Sequence, residues 1–143
     1  MTQLPADTRS VTVERELPHP PERVWRALTR PHLLAEWLMP TDVEPAAGRR
    51  FDFQGEWGSV ACEVIEIEPH TRLAYTWSAM GLESVVTWTL TPTPTGTHLS
   101  MEQAGFRADQ EQAFQGAKFG WRRMLGTLAD VLARSEQGME DVR

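Results

Sequence analysis

The stretch RLAYTWS, residues 72–78, sets Tyr75 and Trp77 two positions apart. In an extended strand such residues share one face. Each carries a large apolar ring with a single polar tip that seeks a partner when buried. The chemistry open to such a pair is recognition of an apolar or aromatic guest. Trp37, Phe51, Phe53, Trp88 and Trp121 extend the set, and Met101 and Met124 add adaptable thioether walls. Plain core packing is the competing reading. Two indoles and a phenol are awkward fillers for a dry core, so the set is expected to line a space of roughly 300 Å³ or more. Trp121, in the middle of an apolar helical stripe, is expected to be the central contact between that helix and the sheet.

Candidates for catalysis are sparser. Arg15 has the parity of Val11, Val13 and Leu17, which allows it to point inward. Glu63 or Glu66 facing inward would have a raised pKa and could serve as a general acid or base. Asp52 and Glu56 sit near a turn, where exposure is expected. His19, His32, His70 and His98 form no metal-ligand pattern, and the pair His32 and Glu36 supplies too few ligands for zinc. No nucleophile elbow, P-loop or dinucleotide fingerprint occurs; GEWGSV lacks both the length and the lysine. The catalytic residues are therefore unknown at this level, and no metal or cofactor is expected.

These side chains must be positioned by a particular order of elements. Residues 10–17 alternate as a strand. The prolines of PHPPERVWRALTR suit the first turn of a helix, where missing N–H groups cost little. Pro31 ends that helix and starts another over PHLLAEWL. Strands follow at Phe51–Phe53, 59–69, 72–78, 83–93 and around Leu99 and Met101. In the 59–69 strand Val60, Cys62 and Val64 share one parity and Ile65 and Ile67 the other, which predicts a β-bulge or a two-sided strand. Residues 109–134 carry one apolar helical stripe, with Asp109 as expected N-cap and Gln112 as its capping-box partner. Gly116, Gly120 and Gly126 interrupt that helix, either for close packing against a short helix or as a weak point that gates entry beneath it. Antiparallel strands with helices on one side make an α+β domain. A straight helix cannot follow a twisted sheet along its whole length, so a gap is expected under it.

Composition removes several function classes. The chain has 143 residues and a net charge of −6, with no basic run beyond two Arg doublets. Nucleic-acid binding and anionic membrane surfaces are disfavoured on that ground. No apolar run approaches a membrane span, so membrane insertion is not expected. The single Cys62 cannot form an internal disulfide, and the first residues lack the apolar core of a signal peptide; a cytoplasmic location is expected. Six Trp against one Tyr is unusual but suits cores, interfaces and pockets alike. The organisation expected is a disordered tail over 1–9, one domain over 10–134 and a polar tail over 135–143.

Five stretches in order resemble a known family: PPERVWRALTRPHLLAEWL (20–38), PAAGRRFDF (45–53), GSVACEVIEIEPHTRLAYTW (58–77), VVTWTLTPTPTGTHLSMEQAGF (85–106) and GWRRMLGTLADVL (120–132). The chain is similar to the SRPBCC superfamily, whose helix-grip fold is shared with START lipid-transfer domains and the birch-pollen allergen. Within it the resemblance is to bacterial homologues of the heat-shock chaperone ATPase activator. It implies a curved antiparallel sheet wrapped around a long C-terminal helix, two short helices after the first strand, and a hydrophobic cavity. The family usually shows two adjacent Trp in the second short helix, whereas here Leu38 follows Trp37. The extra domain of the eukaryotic activators is not seen, so ATPase activation is not expected. Such folds host many activities, so function rests on the site. Three readings stay open: binding of a small hydrophobic or aromatic molecule, a cyclase or dehydratase-type enzyme using the same cavity, and a chaperone-interacting module. A homodimer is also compatible with the sequence.

Overall fold

A computed structural model describes residues 8–138 of the chain. Strand β1 (Arg9–Leu17) leads into helices α1 (Pro21–Thr29) and α2 (Pro31–Trp37). Strands β2 (Arg50–Gly55), β3 (Gly58–Glu68), β4 (Arg72–Ala79), β5 (Leu82–Thr93) and β6 (Gly96–Phe106) follow, and helix α3 (Glu111–Gly138) ends the fold. The six strands form one antiparallel sheet in the order β1-β6-β5-β4-β3-β2. This is the expected α+β helix grip.

Prolines place the two short helices. Pro21 and Pro31 each occupy the first turn, where a missing N–H removes no helical bond. Hairpins order the sheet. Gly96 lets the β5–β6 turn pass against the β1–α1 corner: a Cβ there would stand 2.1 Å from the Leu17 carbonyl oxygen. Met80 and Gly81, with φ of 53° and 83°, form the two-residue β4–β5 turn, the positive pair that matches strand twist.

The parity break in β3 is a bulge. Val64 pairs with Tyr75 and Glu66 with Ala74, leaving Ile65 as the extra residue. Two boundaries differ from expectation. Strand β1 already begins at Arg9, and α3 continues through 135–138; residues 1–7 and 139–143 of the expected tails lie outside the described residues. The α3 start also differs. The helix opens at Glu111, with the Phe114 N–H bonded to the Gln110 carbonyl, while the Asp109 carboxylate accepts from Arg107 at 3.3 Å. Asp109 is thus spent within the turn and does not cap the helix.

The core lies between the inner sheet face and α3. Buried positions alternate along β5 (Ser84, Val86, Trp88, Leu90) and β6 (Thr97, Leu99, Met101, Gln103), and α3 seals them with Trp121, Leu125, Leu128, Val131 and Leu132. At 1.5 Å per residue α3 is roughly 42 Å long, enough to cross the whole sheet.

Candidate functional site

Aromatic rings run in one continuous file through the core. Trp37 meets Trp88 edge-on at 5.7 Å, Trp88 meets Trp121 at 5.7 Å, and Trp121 meets Trp77 at 5.3 Å. Trp77 continues to Phe53 at 5.5 Å, and Phe51 closes on Tyr75 at 5.3 Å. Edge-to-face contacts set each positive ring edge against a negative ring face, which fixes ring orientation as well as burying area.

Beside this file, the space between helix and sheet opens as a cleft of about 490 Å³. Its sheet wall is Trp77, Leu82, Gln103 and Phe106. Its helix wall is the first half of α3. Ala113, Gly116, Ala117, Gly120 and Met124 recur at spacings of three and four, so they share one face. Small side chains there leave the space between helix and sheet unfilled. A Cβ added at Gly116 would meet nothing within 4 Å, and one at Gly120 would meet only the Met124 methyl at 3.9 Å. Packing against a short helix is therefore not what these glycines do. The rim is formed by Trp57 and Met80, 54% and 85% exposed, at the tips of the β2–β3 and β4–β5 hairpins.

Of the residues expected to line a cavity, Trp77, Trp121 and Met124 reach this cleft. Trp37, Phe51, Phe53, Tyr75, Trp88 and Met101 are not in its lining; all are buried behind it. Their polar tips are used internally. The Trp88 indole N–H donates to the Tyr75 hydroxyl at 3.0 Å, and the Trp37 N–H to the Ala27 carbonyl at 2.9 Å.

Gln103 was not foreseen. It is 2% exposed yet lines the cleft, and it organises a directional chain. The Trp121 N–H donates to Gln103 Oε1 at 2.7 Å, Gln103 Nε2 donates to Ser84 Oγ at 3.0 Å, and Ser84 Oγ donates to the Trp77 carbonyl at 2.9 Å. An indole N–H only donates and a carbonyl only accepts, so the two ends fix the amide orientation between them. The signal in the sequence was parity: Gln103 follows Leu99 and Met101 on the inward face of β6.

Among the described residues no titratable group lines the cleft. Arg15 and Glu66 are exposed, and Glu66 is paired with Arg72 at 3.0 Å. Glu63 is half-buried and faces Arg50 at 3.7 Å. An inward acid–base pair of these residues is not assembled. Asp52, Glu56 and His32 are exposed. Burial, assisted by the Asp52 charge, pushes the Cys62 thiol up to about 12, and burial likewise raises the Tyr75 phenol. Both stay neutral and unreactive at neutral pH. Among the described residues no His, Cys, Asp or Glu cluster could hold a metal ion, and no helix is long and apolar enough to cross a membrane.

Comparison with known proteins places this architecture. The model of the family described as activator of Hsp90 ATPase homolog 1-like protein matches residues 18–133. The crystal structure of protein MLL2253 from Mesorhizobium loti is 53% identical, with a TM-score of 0.87, covering 89% of this chain and 98% of that one. DynU16, a protein of the dynemicin biosynthetic locus, is 30% identical with a TM-score of 0.79 over 90% of this chain; the match spans about half, 48%, of DynU16. CalU16 from Micromonospora echinospora shares the fold, with a TM-score of 0.77 at 24% identity, covering 91% of this chain and 80% of that one. No curated protein matches the chain.

Proposed function

Because the chain belongs to the activator of Hsp90 ATPase homolog 1-like family, within the SRPBCC superfamily, we propose that it binds a small hydrophobic or aromatic molecule in the cleft between the sheet and the first half of α3. The observation that carries this reading is the lining itself. The walls are apolar, aromatic or glycine surface, the Gln103 amide and the indole N–H groups are the few polar points among the described residues, and the opening lies between two exposed rim residues with large apolar side chains, Trp57 and Met80. Cavities of a few hundred Å³ with apolar walls and few placed polar groups suit small ligands. Burying such walls under a guest gains roughly 25 cal/mol per Å² of apolar area. That one relative comes from the dynemicin biosynthetic locus supports a small-molecule guest. A lining that holds no ionisable group among the described residues favours binding over acid–base catalysis.

The test is a titration with the neutral dye N-phenyl-1-naphthylamine, whose emission rises in apolar surroundings. Wild type should bind it. Gly116→Leu, whose new side chain enters open space, should abolish binding while circular dichroism stays unchanged. Equal dye binding by both proteins would rule the cleft out as the site.

A further inference from the structure

We propose that the cleft selects neutral apolar molecules carrying a carbonyl-type hydrogen-bond acceptor, with the indole N–H of Trp77 as the donor that reads it. This rests on the binding role proposed above and adds the chemical class of the guest.

The argument is a census of polar valences in the lining. The Trp121 N–H is taken by Gln103. The Trp77 N–H has no acceptor among the described residues, yet it is not a sealed, unpaired atom of the interior. Trp77 is 9% exposed and lines the cleft, and we infer that its N–H meets solvent on that side. Gln103 spends one amide hydrogen on Ser84 and one carbonyl lone pair on Trp121, keeping one of each unused among the described residues. At the rim the Trp57 N–H likewise has no acceptor among the described residues. Free donors thus outnumber free acceptors, and the indole donors cannot reverse their role.

A guest that covers these N–H groups without supplying an acceptor leaves a desolvated donor unpaired. A ketone, quinone or lactone oxygen avoids this penalty. A carboxylate would satisfy the donors too, but among the described residues no cation lines the cleft to offset desolvation of its charge. The donor is also held in place. The Trp77 ring is clamped by Trp121 at 5.3 Å and Phe53 at 5.5 Å, and its carbonyl is tied to Ser84. A fixed donor discriminates because it cannot turn away from a guest that offers nothing.

The experiment compares 2-acetonaphthone with 2-ethylnaphthalene, nearly isosteric and differing in the carbonyl oxygen. Calorimetric titration of wild type should show the ketone bound about tenfold more tightly. In proton–nitrogen correlation spectra the assigned Trp77 indole proton should move downfield with the ketone and not with the hydrocarbon. Trp77→Phe should bring the two affinities together. The wild-type ratio and the Trp77 resonance decide the matter even where that variant fails to fold. Equal affinities in wild type would overturn the carbonyl preference while leaving the cleft as a binding site. A preference that survives Trp77→Phe, with an unmoved Trp77 resonance, would overturn the role of Trp77. Binding of neither compound would overturn the cleft reading and this inference together.

Discussion

The Trp121 indole and the Gln103 amide, 2.7 Å apart, join helix α3 to the sheet through a buried polar chain that crosses three strands. Trp121 also touches the rings of Trp77 and Trp88, so it carries both packing and hydrogen bonding. Trp121→Ala is expected to cost about 3–5 kcal/mol in urea titration, as for other large buried aromatics. Trp121→Phe keeps most of the ring but leaves the Gln103 oxygen without its donor, and should cost about 1–3 kcal/mol. A loss below about 1 kcal/mol for the alanine variant would show that the helix does not pack through this residue.

Helix α3 should not be uniformly stable. Its first half presents Ala113, Gly116, Ala117 and Gly120 to an open cleft, while Leu125, Leu128, Val131 and Leu132 are buried in the core. Glycine weakens a helix interior by about 1 kcal/mol relative to alanine. Amides of residues 111–120 should therefore exchange with deuterium well before those of residues 124–132. The double change Gly116→Ala and Gly120→Ala should slow dye entry and leave the fold intact. Even protection along the whole helix would remove any gating role for the glycines.

Met80 holds a left-handed backbone conformation at the cleft rim, a position where asparagine or glycine is the usual choice. An ordinary side chain there costs roughly 1–2 kcal/mol. Met80→Asn is expected to raise stability by about 1 kcal/mol and to weaken dye binding, because the exposed thioether forms part of the rim. A variant that is less stable than wild type would show that Met80 makes contacts that outweigh its backbone strain.

On the outer sheet face His98 lies between Glu16 and Glu14, with Nε2 2.8 Å from the Glu14 carboxylate. Hydrogen bonds to Glu16 first and Glu14 second hold its pKa above the ordinary histidine value. The sign follows from linkage. The protonated form is favoured in the folded state, so the contribution is fully present below the unfolded pKa near 6.5 and is lost as pH rises through the raised value. Melting temperatures of wild type and His98→Gln should differ most below pH 6.5 and converge at alkaline pH. A difference independent of pH would show that the imidazole charge plays no part.

Parity carried much of the fold in the sequence. It marked an irregularity in β3, as a bulge or a two-sided strand, and it placed the inward rings of β4 and β5 and the buried stripe of α3. It could not tell which inward rings close the core and which face open space. That depends on where a straight helix leaves a curved sheet, and the departure occurs over the glycine-bearing first half of α3. Gln103 was visible as a polar residue at an inward position, but its bonds to Trp121 and Ser84 span three elements and have no local signature. Trp57 belongs to the rim only because a two-residue turn puts it there. Asp109 misled because a good capping residue next to Arg107 has another partner within reach.

The pairing of β1 with β6 has a consequence for how the chain is made. Val11 lies opposite Gln103, about ninety residues later in the chain. As the polypeptide leaves the ribosome, β1 emerges first and finds no neighbour, while β2 to β5 zip together through short hairpins. Closure must wait until β6 has been synthesised, and such distant pairing is the slow kind. Thr12, Glu14 and Glu16 on its outward side keep the waiting strand polar and charged, a guard against pairing with another nascent chain. Truncation before Gly96 should leave β1 without a partner and the protein prone to aggregate, however well the central hairpins form.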